Sequence, residues 1–262
     1  SAIAIILLLK KVIEALPVLS EDATPLEMVL VPAGTFLMGS PDGEKDRATD
    51  EGPQHEVTIT KSYYLGKYEL TLAQWKAVMG NSPLAESDIW KPNDPVYRIS
   101  WEDCQEFITK LNQLALGTFR LPTEAEWEHA CRAGTTTRYY WGDDLEETDG
   151  EDYAWNDSYE SSHDLNYLLE GLPDVGQKLP NAFGLFDMSG NVYEWCQDLY
   201  GLYTGEPQTD PQGAQAGLFP FHVGRGGSGS VDLGRLRSAH RNHAGFLHYY
   251  AVGMRLLRLS EG

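Results

Sequence analysis

The chain has 262 residues, of which 42% are hydrophobic and 23% charged, as expected for a folded, soluble protein with a core of its own. Its formal net charge of −19 argues against a protein that coats nucleic acid or anionic lipid. The charge is uneven, because residues 221–262 carry six arginines against Asp232 and Glu261. The C-terminal segment is therefore chemically different from the rest.

The N-terminal segment begins with an apolar run, Ala2 to Leu9, which is too short to span a bilayer. Lysines follow this run, whereas in a signal peptide they precede it. We therefore predict a helical segment over residues 1–24 that packs on the domain or faces a partner. A single domain is predicted over residues 25–262. Because the first residue is Ser and not Met, the sequence is compatible with a signal or anchor segment before residue 1.

Short strands are predicted at the start of the domain. Residues 27–40 contain two β-rich runs separated by Pro32 to Gly34, a pattern typical of a hairpin. Residues 55–60 and 63–71 are predicted as two further strands.

Two helices are predicted from their caps and apolar spacing. The first follows Thr71 as N-cap and ends at Gly80, where glycine favours a left-handed stop. The second runs from Ser100 to about Leu116, starting at a capping box. Cys104 lies on its apolar stripe, which favours a buried thiol over a reactive one.

A third helix is predicted from Thr123 to Gly134. Its N-terminal residues include Glu124, Glu126 and Glu128, of which Glu126 completes a capping box. Three carboxylates so close together could serve acid–base catalysis. The favoured interpretation is that they are helix-start charges at the positive end of the helix dipole.

The segment from Gly134 to Gly176 is rich in Gly, Asp, Asn, Tyr and Trp, with no sustained period. This composition predicts a long loop region held by aromatic side chains. Few helices among short strands and long loops indicate an α+β fold. The three cysteines are far apart in sequence and have no metal-ligand spacing, so we expect buried thiols and neither a disulfide scaffold nor a zinc site.

Six sequence motifs, in order along residues 25–258, resemble the formylglycine-generating enzyme (sulfatase-modifying factor) domain. They are MVLVPAGTFLMGS (28–40), DEGPQHEVTI (50–59), GKYELTLAQW (66–75), FRLPTEAEWEHACRAG (119–134), NAFGLFDMSGNVYEW (181–195) and GRGGS (224–228). The resemblance implies a C-type-lectin-like fold of the formylglycine-generating-enzyme type, with two to three helices, short antiparallel sheets and much irregular loop.

Catalysis by the oxidases of this family depends on two thiols after the GGS motif, which bind copper. The positions where these thiols would be expected hold Val231 and, roughly, Leu236, and no cysteine follows Cys196. Without the thiolates a soft metal has no ligands, so no catalytic residues and no copper are expected. Related sulfoxide synthases hold iron through a separate helical domain, for which this chain has no room.

The resemblance also implies a structural Ca²⁺ site in DMSGNVYEW. Its ligands would be the Asp187 and Glu194 carboxylates and the carbonyl groups of Gly190 and Val192, a hard oxygen set that suits Ca²⁺. The alternative is that the two carboxylates only bond backbone amides and fasten the loop.

The C-terminal segment also resembles the variable proteins of diversity-generating retroelements, which use this lectin-like domain. There, adenines are replaced at random, and an altered AAC codon cannot encode Lys, Glu, Gln, Trp or Met. These five types make up about a fifth of the chain. None occurs among residues 229–251, which supports a variable ligand-binding region there.

The candidate ligand-binding residues lie between scaffold-like motifs of the C-terminal segment. They are Ser230, Val231, Asp232, His240, His243, Ala244, Gly245, Phe246, Leu247, His248, Tyr249 and Tyr250. Their aromatic and histidine content is typical of a binding surface, whereas their irregular spacing is not that of a metal site. We expect Arg237, Arg241 and Arg255 to brace the fold and not to contact ligand.

These observations predict a non-catalytic, receptor-like protein. Its C-terminal surface would bind a variable macromolecular partner, with protein preferred and nucleic acid not expected. From that role alone, we expect the protein at the cell surface or outside the cell. Membrane attachment is expected only through an anchor outside this chain. The alternatives are a constant, calcium-stapled module of the same family, directed to glycans for example, and an oxidase.

Overall fold

The computed structural model describes residues 25–84, 91–143, 150–156, 172–214, 220–243 and 251–260. The predicted N-terminal helical segment lies outside this part of the chain. The helices are α1 (Leu72–Met79), α2 (Trp101–Gln113), α3 (Glu124–Arg132) and the single turn α4 (Gly150–Tyr153). The strands are β1 (Met28–Val31), β2 (Gly34–Met38), β3 (His55–Ile59), β4 (Tyr63–Gly66), β5 (Phe119–Arg120), β6 (Tyr193–Leu199), β7 (Gln208–Thr209), β8 (His222–Arg225), β9 (Asn242–His243), β10 (Val252–Gly253) and β11 (Leu257–Leu259).

The three predicted helices are confirmed together with their caps. The hydroxyl groups of Thr71, Ser100 and Thr123 each accept a hydrogen bond from the third amide of the helix that follows. Helix α1 ends at Gly80, which has a left-handed backbone with φ of 80°. Helix α2 ends at Gln113, slightly before the predicted end.

The predicted hairpin at Pro32 is wrong. Strand β1 pairs with β4 and strand β2 with β3, so residues 28–38 run as one antiparallel ribbon against residues 55–66. At residues 32–33 the chain keeps its direction and does not turn back. On the partner side, three residues between Ile59 and Tyr63 lie opposite these two. Proline cannot donate a ladder hydrogen bond, so the ribbon divides there between two sheets.

Three small sheets result from these pairings. Their strand orders are β1-β4-β11-β5, β10-β6-β8-β9 and β2-β3-β7. Helix α3 is buried along its whole length and packs on β2, β3, β6 and β8. Helix α2 covers a second core region through Cys104, Phe107 and Leu111. No helix in the described part of the chain is long and apolar enough to cross a membrane.

Aromatic side chains hold the described residues of the long loop region, as predicted. The Trp141 ring stacks between the rings of Tyr139 and Tyr153, at centroid distances of 4.3 and 5.2 Å. The Tyr140 hydroxyl donates to the carbonyl oxygens of Tyr153 and Leu179. Loop residues distant in sequence are thereby packed together.

Candidate ligand-binding site

The first three predicted ligand residues lie in a turn after β8. Ser230 and Asp232 are exposed and Val231 is half-buried. The turn is fixed by its backbone, since Val231 N–H donates to the Ser228 carbonyl and Gly229 N–H to that of Asn191. The Ser228 and Ser230 hydroxyl oxygens are 3.0 Å apart. This arrangement presents exposed side chains on a fixed turn.

The two described histidines of the predicted set have different surroundings. The His240 side chain is 15% exposed, and its Nδ1 lies 3.6 Å from a Glu51 carboxylate oxygen. His243 lies on the edge strand β9, and its ring packs against Tyr200 and Phe221 at centroid distances of 4.8 and 5.8 Å. His240 is thus partly joined to the buried scaffold, while His243 belongs to an aromatic group at the sheet edge.

The remaining predicted ligand residues lie outside the described residues. They are Ala244, Gly245, Phe246, Leu247, His248, Tyr249 and Tyr250. Their part in a binding surface stays a prediction.

Arg235 is a surface residue that the sequence analysis did not assign to the site. Its side chain is 58% exposed and forms an ion pair with Asp232 at 3.5 Å, within a single 3-10 turn. The spacing of three residues between opposite charges was a signal for this pair. Phe221 was also missed, because its contact with His243 depends on the pairing of β8 with β9.

Arg237 lies beneath this turn and is buried. Its guanidinium group forms a bidentate pair with Glu51, with both N–O distances 2.6 Å, and reaches Glu44 at 2.7 Å. It also donates to the carbonyl oxygens of Gly234 and Asp46. Burial alone raises the pKa of a carboxyl group, but Arg237 and the neighbouring histidine hold the pKa of Glu51 below its usual range.

Arg241 anchors the next part of the segment. Its guanidinium group holds both carboxylate oxygens of Glu124, at 2.6 and 2.8 Å, and donates to the carbonyl oxygens of Asp50 and Gly201. Burial would raise the pKa of Glu124, but Arg241 and Arg225 hold it below its usual range. Glu124 is therefore an ionised structural carboxylate.

Arg225 connects the segment to the rest of α3. It pairs with the buried carboxylate of Glu128 and donates to the His240 carbonyl oxygen. Glu128 also accepts hydrogen bonds from Arg132 and from the Gly39 amide, each at 2.9 Å. The buried ion pairs of Arg237 and Arg241 confirm that these two arginines brace the fold, as expected.

The three glutamates of α3 are therefore structural. Glu126 caps the helix and pairs with Arg120 at 2.6 and 2.7 Å, which agrees with the helix-start interpretation. Glu124 and Glu128 instead neutralise arginines from the C-terminal segment. A sequence motif for the helix start could not reveal those distant partners.

The cysteines are buried, as predicted. Burial raises the pKa of the Cys131 thiol to about 12 and raises those of Cys104 and Cys196 well above their usual range. The positions where the family's thiols would be expected hold a half-buried Val231 and a fully buried Leu236. The described site thus offers no thiolate.

Two of the predicted calcium ligands lie in a strained, closely packed turn. Asp187 has a left-handed backbone with φ of 55°, and its Oδ2 accepts a hydrogen bond of 2.6 Å from the Gly176 amide. Its Oδ1 is buried and receives no hydrogen bond. Gly190 donates to the Gly226 carbonyl oxygen, and a Cβ at Gly190 would lie 2.1 Å from the Trp155 carbonyl oxygen.

At the other two predicted calcium ligands, the Val192 N–H and the Glu194 carboxylate form hydrogen bonds, while the predicted ligand atom of Val192 is its carbonyl oxygen. Val192 N–H donates to the Glu69 carboxylate at 3.1 Å. The Glu194 carboxylate accepts hydrogen bonds from Arg255, the shortest 2.7 Å long, and from the Trp127 indole at 2.7 Å. The Asp187 carboxylate thus bonds a backbone amide, as in the loop-fastening alternative, whereas the Glu194 carboxylate bonds side chains.

In the described part of the chain, three carboxyl groups outnumber the two cations around this turn. The buried carboxyl groups of Glu69, Asp187 and Glu194 interact with one another, while the buried Arg255 and the half-buried Lys178 act on Asp187. Burial raises the pKa of Asp187 to about 6, and burial with the neighbouring carboxylates raises that of Glu69 well above its usual range. A divalent cation would offset this excess of negative charge, and carboxylate and carbonyl oxygens are ligands that suit Ca²⁺. No three His, Cys, Asp or Glu side chains of the described residues converge as a metal site, so carbonyl ligands would be needed.

Known proteins share both the sequence pattern and the fold. Residues 15–259 match the model of the sulfatase-modifying factor enzyme 1-like domain. The formylglycine-generating enzyme of Mus musculus is 27% identical, over 81% of this chain and 69% of that protein.

Two solved structures superpose with TM-scores of 0.74. Variable protein 1 of Treponema denticola is 24% identical and is covered over 98% of its length, by 92% of this chain. PvdO from Pseudomonas aeruginosa is 28% identical and is covered over 96%, also by 92% of this chain. The predicted α+β, C-type-lectin-like fold is thereby confirmed, and the chain belongs to the sulfatase-modifying factor enzyme 1-like domain family.

Proposed function

We propose that this protein is a non-catalytic, receptor-like binder whose ligand site is the C-terminal surface, residues 229–251, diversified by a retroelement. The ligand would be a macromolecule, with protein preferred, and the protein would act at a cell surface or outside the cell. The similarity in fold to a variable protein supports this proposal.

The proposal rests on one observation about residues 229–243. The side chains that anchor this segment to the fold are buried, and other side chains of the same segment are exposed. The side chains at the predicted positions 230 and 232 are exposed. The buried side chains of the segment include those of Leu233, Leu236, Arg237 and Arg241. Substitutions at exposed positions away from caps and cores usually change the free energy of unfolding by within about 0.5 kcal/mol. Such a surface can change its binding chemistry while the fold is kept.

The side chains at the family's catalytic positions argue against the oxidase. Soft-metal capture needs thiolates, but Val231 and Leu236 are aliphatic and the three thiols are buried with raised pKa values. We expect no conversion of a sulfatase-derived cysteine peptide to formylglycine when the protein is supplied with copper and oxygen, as followed by mass spectrometry. Turnover of that peptide would contradict the non-catalytic assignment.

Sequencing the 3′ end of this gene from many clones of its source population tests diversification. We expect substitutions at the exposed and intervening positions of residues 229–251, in codons that end in C. Codons of the buried residues Leu236 to Ala239 and Arg241 should be unchanged. A uniform sequence with only synonymous differences would leave a constant module and remove the diversified receptor.

The second candidate function is that of a constant binding module in which a bound Ca²⁺ holds the loops together. The buried, unbonded Oδ1 of Asp187, beside the excess of buried carboxylates, favours it. Calcium and a variable surface are compatible, because the proposed ion lies in the 187–194 turn and would act by fastening loops. The clone sequences therefore decide between the two candidates, and calcium binding alone does not.

A further inference from the structure

Two carboxyl groups, those of Asp94 and Asp174, meet where the chain segments 91–97 and 172–176 join. Asp94 is only 1% exposed, and Asp174 is half-buried. The two side chains lie within hydrogen-bonding reach of each other. The Oδ1 atom of each is buried and receives no hydrogen bond.

The backbone around this pair joins three parts of the fold. The Asp94 carbonyl oxygen accepts a hydrogen bond of 2.9 Å from Leu72, the first residue of α1. The Val175 amide donates to the Asn93 carbonyl oxygen at 3.0 Å. The acidic pair therefore lies beside the main-chain hydrogen bond that fastens residues 172–176 to the 91–97 segment.

Two ionised carboxylates in contact and out of water repel each other and leave acceptors unsatisfied. Lys91 is the cation of the described residues that bears on Asp94, and its amide donates to Asp94 Oδ2 at 2.8 Å. Burial nevertheless raises the pKa of Asp94 to about 6, and the Asp174 carboxylate adds to the increase. A proton between the two groups would satisfy both unbonded oxygens.

We propose that the Asp94 carboxyl group carries a proton at mildly acidic pH and donates it in a hydrogen bond to Asp174, and that this hydrogen bond fastens residues 172–176 to the 91–97 segment and weakens as the pH rises. The inference does not depend on the proposed function. A direct contact between carboxyl groups favours a proton over Ca²⁺, which takes six to eight oxygen ligands.

The direction of the pH effect follows from the sign of the shift. A carboxyl group whose pKa is higher in the folded protein stabilises the fold at low pH, and that stabilisation is lost as the pH rises through the folded value. A rise of the pKa from 3.8 to about 6 puts this loss between about pH 4 and pH 6. The opening equilibrium of the segment should change by up to about 100-fold.

Amide hydrogen exchange at Val175 in the full chain tests the proposal. We expect the protection factor of this amide, corrected for intrinsic exchange, to fall by about 10-fold to 100-fold from pH 4 to pH 8. Asp94→Asn should abolish this fall, because the introduced amide group donates to Asp174 at every pH. The matched control is Asp42→Asn at an exposed site, which should keep the wild-type profile.

Asp174→Asn is a second variant for the case that Asp94→Asn does not fold. It should reduce the pH dependence, because its amide group donates to the ionised Asp94 carboxylate, although Asp94 stays buried. Equal Val175 protection at both pH values in the wild type, or an unchanged fall in a folded Asn variant, would overturn the proposal. Calcium chloride added at pH 8 provides a further check. A rise in Val175 protection in the wild type that both Asn variants lose would identify a cation site instead of a proton on Asp94.

Discussion

At the scale of single residues, the buried arginines explain how an exposed segment keeps its shape. Arg237 and Arg241 each combine a bidentate carboxylate pair with hydrogen bonds to backbone carbonyl groups. Only a guanidinium group supplies enough donors in that planar geometry. Each arginine therefore fixes the path of its own backbone as well as balancing a glutamate.

Replacing one buried arginine should therefore destabilise the protein strongly. Arg241→Met would leave the buried Glu124 carboxylate without its bidentate partner, and we expect a loss of about 3–5 kcal/mol in the free energy of unfolding. Arg235→Met at the exposed turn is the matched control and should change it by within about 0.5 kcal/mol. Urea denaturation measures both values. Similar effects from the two substitutions would contradict the division into anchors and exposed positions.

At the scale of elements, α3 is the helix on which the site depends. It is buried along its whole length and contributes Glu124 and Glu128, which pair with Arg241 and Arg225 of the C-terminal segment. Its N-terminus is held by Thr123, whose hydroxyl accepts from the Glu126 amide, and by the reciprocal Glu126 contact.

Removing this cap should cost a moderate amount of stability. We expect Thr123→Ala to lower the free energy of unfolding by about 1 kcal/mol, because the Glu126 amide loses its acceptor in a buried position. Thr204→Ala at an exposed loop position is the comparison and should have little effect. Thermal or urea unfolding of the two variants side by side measures the difference. A loss in Thr123→Ala no larger than that in the comparison variant would show that the cap is not needed.

The features of these elements that the sequence predicts correctly depend on residues close together in the chain. Thr71, Ser100 and Thr123 mark helix starts because a cap and its partner lie three residues apart. The hairpin at Pro32 fails because strand partners are set by contacts about 30 residues away, which a turn motif does not encode. The surface position of Arg235 likewise emerges only once the 3-10 turn is formed.

At the scale of the whole molecule, the uneven charge of the chain has an internal explanation. Five of the six C-terminal arginines are buried, and four of these pair with carboxylates from the acidic body of the protein. The positive segment thus supplies internal counter-ions to carboxylates of the chain before residue 221. Among the described residues of this segment, Arg235 is the exposed arginine.

The excess of buried carboxylates at the 187–194 turn predicts that calcium stabilises the whole fold. At a calcium concentration of about 100 times the dissociation constant, binding should add about 2.7 kcal/mol to the free energy of unfolding relative to protein in chelator. Asp187→Asn should lose this gain, because it removes the carboxylate whose Oδ1 has no hydrogen bond. Its stability in chelator should not fall below that of the wild type, since one buried negative charge is removed.

Differential scanning calorimetry with and without calcium measures both effects, and Asp42→Asn serves as the control that keeps the calcium response. Glu194 is unsuitable for this test, because its carboxylate also holds Arg255 and Trp127. An unchanged melting temperature in the wild type would mean that protons on Glu69 and Asp187 relieve the charge excess instead. In that case the turn would depend on its hydrogen bonds alone, and the loops beside it would be held without an ion.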